Sequence, residues 1–411
     1  MSSASATRTP STRSTSSRSE VLGFLTSRLR QIGIFLALIV IVILFQVLTE
    51  GRLLTAGNVS NIIVQNSYIL ILAIGMVMVI IAGHIDLSVG SVAAFVGAMT
   101  GVMVQDWGWA WWVAILAGLV VGALVGCWQG FWIAYVGIPA FIVTLAGMLI
   151  FRGLTQIVLG NTQITPFPTE YRQLGGGYLF PELFPPTASP AEWITVGLGV
   201  LALLMFIGSQ IQGRMKRVRL KLETEPAWWF IVKVLFGSGL ILYLTFLLGV
   251  APGSRGTPIV LIVLGVLVVV YTQVMNRSIF GRHIYAVGGN RNAANLSGIK
   301  SRTVDFYLFV NMGVLAALAG IIFTGRLNSA GPGAGNLFEL DAIAASFIGG
   351  AAVQGGVGTV VGAITGGLIM GVLNNGMSLL GVSTDYQQFI KGLVLLLAVA
   401  FDVWNKRRAR G

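Results

Sequence analysis

The sequence predicts an all-α polytopic membrane protein of about ten to twelve transmembrane helices. Three observations predict it. Of the 411 residues, 55% are hydrophobic and only 10% are charged, against the roughly 25% charged that soluble domains carry. The apolar residues come in long unbroken runs, such as IGIFLALIVIVILFQVL (Ile32 to Leu48) and VLLLAVAFDVW (Val394 to Trp404), whereas a membrane β-barrel shows short alternating segments. The net charge of +12 is confined to short blocks between these runs. That is the pattern of a topology signal, not of a nucleic-acid surface, and no nucleic-acid partner is expected.

A membrane-crossing helix needs roughly 17–25 mostly apolar residues. Such spans fall near 31–49, 60–82, 86–104, 109–136, 139–159, 192–210, 228–249, 258–276, 304–324, 339–357, 358–379 and 387–404. The third and tenth are rich in Gly, Ala and Ser, so they are expected to be short, broken or re-entrant, with the count falling to ten. Small residues let helix backbones approach closely, so these two should face other helices and not lipid. Residues 1–30, rich in Ser, Thr and Arg, read as a disordered basic tail. A cleaved signal peptide would place its apolar core much earlier. Residues 405–411 read as a second basic tail, leaving 31–404 as one membrane domain.

Lys and Arg set the expected orientation. With both termini inside, the inside segments hold Arg8, Arg13, Arg18, Arg28 and Arg30; Arg214, Lys216, Arg217, Arg219 and Lys221; Arg277, Arg282, Arg291, Lys300 and Arg302; and Lys406, Arg407, Arg408 and Arg410. The outside loops hold only Arg52, Arg172, Arg255 and Arg326. Nineteen against four is what the positive-inside rule demands of this orientation and forbids of the reverse. Loop 160–190, with its Pro, Gly and aromatic residues, is expected to form an ordered external cap. Residues 211–226, which include RMKRVRLKLETEP, form a basic cytoplasmic insertion whose expected contact is anionic lipid.

Other chemistries find no residues. Cys127 is the single cysteine, so no internal disulfide can form. His84 and His283 are the only histidines, far apart and without thiol partners, which argues against a metal site. There is no Ser-His-Asp set and no facing carboxylate pair, so no enzyme activity and no cofactor is expected.

Residues 276–304 are more than a connecting loop. In GGNRNAANLSGI, a Gly-Gly turn and Asn290 precede Arg291 to Leu296, a short helix-capable stretch that Gly298 can end. A short helix lying along the membrane surface is the shape of a lever.

Four motifs then carry a family resemblance: GHIDLSVGSVAAFVGA at 83–98, GIPAFIVTLAGMLIFRG at 137–153, GRHIYAVGGNRNAANLSGI at 281–299, and the Gly-rich stretch 335–382 that begins GNLFELDAIAASFIGG. In this order they resemble the permease subunits of bacterial ATP-binding-cassette importers for monosaccharides, and the xylose-type permeases most. The resemblance implies a multi-pass permease of the bacterial inner membrane, paired as a homodimer or with a like permease, together with two cytoplasmic ATPases. It also implies an extracytoplasmic sugar-binding protein and a monosaccharide substrate, xylose or a similar pentose or hexose. The chain has no GxxxxGK[ST] stretch, so ATP would be hydrolysed by the partner. The resemblance makes 281–299 the coupling helix, with Tyr285, Ala286, Gly288, Gly289, Asn290, Ala293, Ala294, Leu296, Ser297, Gly298 and Ile299 on the ATPase-facing segment. Small side chains at Ala293 and Ala294 are expected to seat closely in the ATPase.

The polar residues of the spans are the remaining candidates. Asp86, at the inner end of the second span, is expected to cap the third helix, where backbone N–H groups and the helix dipole favour a carboxylate; a sugar ligand and a proton relay are the alternatives. Ser88 and Ser91 follow on the next turns. Glu339 and Asp341 open the tenth span from the opposite face, a hint of an inverted repeat. Asn66, Asn311, Asn374, Asn375 and Gln129 are candidates either for helix–helix hydrogen bonds or for the sugar path. Permeases for branched-chain amino acids or autoinducers, and an ion-coupled secondary transporter that conscripts His84 or Asp86, remain as rivals.

Overall fold

Each of the twelve apolar segments carries a helix, but they do not all run the same length. The computed structural model describes residues 17–179, 192–222 and 224–410. Its helices are α1 Ser17–Leu48, α2 Ala56–Ile81, α3 Val89–Gln105, α4 Trp111–Phe131 with a π-turn over Trp132–Val136, and α5 Ala140–Leu159. There follow α6 Thr169–Gly176, α7 Trp193–Arg219, α8 Ala227–Gly249, α9 Ile259–Arg277, α10 Ile279–Gly289 and α11 Arg291–Leu296. The chain closes with α12 Ser301–Leu327, α13 Phe338–Ile348, α14 Val360–Leu379 and α15 Thr384–Arg410. Among the described residues eight helices are long and apolar enough to cross a membrane: α2, α4, α5, α7, α8, α9, α12 and α14. The protein is an all-α polytopic membrane protein.

The helices beside both tails reach into them: residues 17–30 belong to α1 and the basic 405–410 to α15, since Arg in both, with Leu and Glu in 17–30, favours helix once a neighbouring span nucleates it. Residues 1–16 lie outside the described residues, as does 180–190 of the expected cap. The described part of that cap is ordered. Ile164 pairs with Ala330 and Tyr178 with Pro258, and Tyr171 of α6 is fully buried with its hydroxyl 2.8 Å from Thr100 Oγ1.

Burial locates the core. The apolar stretch of α2 is 89% buried, that of α14 72% and that of α12 61%, against 11% for α7 and for α8. Helices α3 and α4 pack on α12, while α13 and α14 pack on α2. Since α2 and α12 each precede a short helix, this crossed packing has the form of an inverted repeat.

The tenth span is broken, as its small residues lead one to expect: only its first half, 339–348, is helical. Gly350, Gly355 and Gly356 adopt φ of +90°, +80° and +73°, left-handed values that end a helix and that other residues rarely take. So α13 is a half-helix, and 349–359 is a turn. Helix α13 starts deep in the bundle and is reached from the Leu327 end of α12, the end away from Asp305 and its partner His84. Tyr68, midway along α2, has its ring 4.1 Å from Phe338, the first residue of α13. The first turns of α3 and α13 meet where Gly90 and Gly335 press backbone to backbone, leaving no room for a Cβ on either.

Candidate functional site

Segment 276–304 folds into two short helices, where the sequence suggested one. Ser278 caps α10 by accepting the Gly281 N–H at 3.0 Å. Gly288 and Gly289 end α10 instead of forming a separate turn. Ile284 and Val287 are buried, and Gly288 lies so close to the Ile81 carbonyl at the end of α2 that a Cβ there would collide with it. The Ile81 oxygen also accepts the Gly356 N–H at 2.8 Å. Tyr285 donates its hydroxyl to the Gly358 carbonyl at 2.8 Å, and burial pushes its phenol pKa up. Segment α10 therefore holds the end of α2 and the 349–359 turn together.

The second helix matches its caps. Asn290 Oδ1 accepts the Ala293 N–H at 3.0 Å, and Gly298 takes φ +85°. Its faces differ from expectation. Ala294 is 5% exposed and packs into this chain, so it cannot seat in a partner. The side chain offered outward is Leu296, 90% exposed, with Gly289, Asn290, Ala293, Ser297 and Gly298 also exposed around it. Ala286 and Ile299 are half-buried against the core. The period of a six-residue helix is too short to show in the sequence which alanine faces inward.

A charged trio anchors this segment to the spans. Arg291, first residue of α11, places Nη1 2.5 Å from Asp305 Oδ2 and Nη2 3.2 Å from Oδ1. Nη2 is also 2.9 Å from His84 Nε2, which lies 3.1 Å from Asp305 Oδ1. The Asp305 side chain is 3% exposed. The trio borders a cavity of about 540 Å³ shared with Gly137, Ser301 and Arg302. Sequence reasoning paired His84 with Asp86 and missed Asp305. An acid in the first turns of α12, within an otherwise basic segment, was the available signal.

Asp86 is corrected as well. The N-cap position of α3 is Ser88, and no side chain caps that helix. Residues 83–88 run non-helically from α2 to α3, so the carboxylate reaches only two residues ahead. Asp86 Oδ1 accepts the Ser88 N–H at 2.8 Å and its hydroxyl at 2.6 Å, a local turn. Gln129 of α4 donates to Ser88 Oγ at 2.7 Å. This chain is buried where α3 begins.

The other candidates divide. Asn375 exchanges two amide hydrogen bonds with Asn58, at 2.8 and 2.9 Å, and Asn58 carried no sequence signal. Asn66 donates to Ile62 O at 2.8 Å, and Asn311 accepts from the Tyr271 hydroxyl at 2.5 Å. These are helix–helix and intrahelical bonds. Asp341 pairs with Lys391 of α15 at 3.0 Å. By contrast Ser91 Oγ, Glu339 Oε2 and Asn374 Oδ1 are buried without a partner. Ser91 and Glu339 stand in the first turns of α3 and α13, and Glu339 packs on Gly90.

Known proteins share this sequence along most of its length. Residues 58–399 match the family described as branched-chain amino acid transport system / permease component. The chain is 40% identical over 373 residues to the xylose transport system permease protein of Escherichia coli (strain K12), covering 91% of each. The same protein of Haemophilus influenzae (strain ATCC 51907 / DSM 11121 / KW20 / Rd) is also 40% identical, over 91% of this chain and 96% of its own. The ribose import permease protein of Bacillus subtilis (strain 168) is 35% identical over 91% of this chain and 93% of its own. No solved structure matches.

Proposed function

Because the chain belongs to the branched-chain amino acid transport system / permease component family, we propose that it is the membrane subunit of an ATP-driven monosaccharide importer. Its substrate in this reading is xylose or a similar pentose or hexose. One observation carries the reading: 40% identity to a xylose permease over 91% of both chains, with ribose permeases next at 34–35%. The family description names amino acids, but these relatives name sugars, and the amino-acid, autoinducer and ion-coupled alternatives are not favoured.

In this reading the protein sits in the bacterial inner membrane with both termini in the cytoplasm. It pairs with a second permease, two cytoplasmic ATPases and an extracytoplasmic binding protein. Leu296 and the exposed residues around it dock on the ATPase; exposed apolar side chains on a polar surface mark such contacts. Closure of the ATPase pair displaces α10–α11, and the rigid helices carry the displacement to the broken spans. The sugar passes where α3 and α13 meet, beside the unpartnered hydroxyl of Ser91 and the carboxylate of Glu339. Such groups accept and donate to sugar hydroxyls without a fixed ion pair. The basic turn between α7 and α8 meets anionic lipid.

Removing the chain from its host should abolish uptake of one monosaccharide, and a plasmid copy should restore it. Unchanged uptake of every pentose and hexose would refute the reading. A cysteine at Gly176 should react only from outside and a reporter after Arg410 should be cytoplasmic; the reverse labelling would overturn the orientation.

A further inference from the structure

Resting on the importer reading, we infer that His84, Arg291 and Asp305 form the joint that passes movement of the α10–α11 lever to the short span α3. The three residues come from three elements. Arg291 opens α11, Asp305 lies in the second turn of α12, and His84 lies on the stretch leading from α2 into α3. Arg291 grips Asp305 through both guanidinium nitrogens, at 2.5 and 3.2 Å. With the carboxylate 3% exposed and the arginine 39%, the pair is bidentate and withdrawn from water on its acidic side, where such bonds are strongest.

His84 gives the joint two settings. Its Nε2 is 2.9 Å from Arg291 Nη2 and 3.1 Å from Asp305 Oδ1. A ring nitrogen either accepts from the arginine or donates to the aspartate, never both. The α3 end can therefore exchange partners while the Arg291–Asp305 pair stays closed, which is a discrete two-arrangement link and not a continuous hinge. A separate set of contacts holds the half-helix α13. Tyr285 binds Gly358, and Gly288 lies against Ile81, whose carbonyl binds Gly356. The lever is thus tied to the chain entering α3 and to the chain leaving α13, the two short helices whose starts meet at Gly90 and Gly335. The trio acts through position: it reaches the motion of the spans, and its role is to convert hydrolysis into transport.

The test measures hydrolysis and sugar uptake in the same proteoliposomes, containing the permease, its ATPase and its binding protein. Asp305→Asn and Arg291→Asp should keep hydrolysis within about twofold while sugar moved per ATP falls about tenfold. The double variant Arg291→Asp with Asp305→Arg re-forms the pair and should recover much of the ratio. His84→Gln, at a half-buried position where misfolding is least expected, should lower the ratio with the ATPase still bound. A ratio unchanged in all of these variants, or uptake and hydrolysis falling in proportion, would overturn the joint. Absence of ATP-dependent monosaccharide uptake in the parent protein would instead overturn the importer reading.

Discussion

Two basic segments lie between spans on the same face of this protein, and they are built in opposite ways. The end of α7 carries Arg214, Lys216, Arg217 and Arg219, and the turn to α8 carries Lys221, yet α7 and α8 pack mainly on each other, Gly199 against Thr245 and Gly237 against Phe206. Its charges stay local: Lys233 pairs with Glu225 at 3.1 Å, and Arg214 sits 4.6 Å over the Phe230 ring. The α9–α12 segment has no denser charge, but one arginine reaches a buried carboxylate and one glycine reaches a backbone carbonyl of the most buried span. Charge density does not mark the segment that can drive the bundle. Buried acid and close backbone approach do.

The sharpest way to break this contrast is to remove one arginine from each segment. Arg291→Ala leaves the buried Asp305 carboxylate with His84 alone, a loss of about 3 kcal/mol, while Arg214→Ala removes a half-buried cation–π contact with Phe230 and should cost about 1 kcal/mol. Thermal unfolding in detergent checks both, and equal melting temperatures would erase the distinction. Next in size are the glycines. Gly288→Val drives a side chain into the Ile81 carbonyl and should cost about 1–3 kcal/mol. Gly213→Val in α7 meets open space and should change stability by under about 0.5 kcal/mol.

Leu296→Asp separates docking from folding. At 90% exposure the change should move the melting temperature little, within about 0.5 kcal/mol, while the ATPase no longer co-purifies. Retained co-purification would move the docking surface elsewhere on the basic face. The smallest effect on transport is expected of Asp86→Asn. Asp86→Asn keeps an oxygen for the Ser88 N–H and should keep most transport, whereas Asp86→Leu strands buried donors at about 1–3 kcal/mol. Lost uptake in Asp86→Asn at normal protein levels would favour a proton relay.

Much of this arrangement was legible in the sequence because lipid imposes a simple rule: long apolar runs must be helices. The twelve segments, the small-residue character of the third and tenth, and the Asn290 and Gly298 boundaries of α11 all follow from local chemistry. What was hidden depends on contacts distant along the chain. Asp305 bonds to Arg291 fourteen positions back and to His84, 221 positions back between α2 and α3, and Asn58 meets Asn375 across 317 positions. The depth at which α13 begins is set by Tyr68 and Gly90 in other helices. No periodicity encodes it. The inward turn of Ala294 arises in the same way, from packing and not from its own six-residue helix.

The central claim is that this chain moves a monosaccharide with energy from a separate ATPase, and one measurement reaches it most directly. Proteoliposomes holding the permease, its ATPase and its binding protein are given radiolabelled xylose, with ATP on the ATPase side and no ion gradient. The account predicts uptake that needs all three proteins and ATP, and that unlabelled pentose or a related hexose competes away. Uptake by the permease alone along an imposed ion gradient, or transport of branched-chain amino acids with every sugar refused, would contradict it.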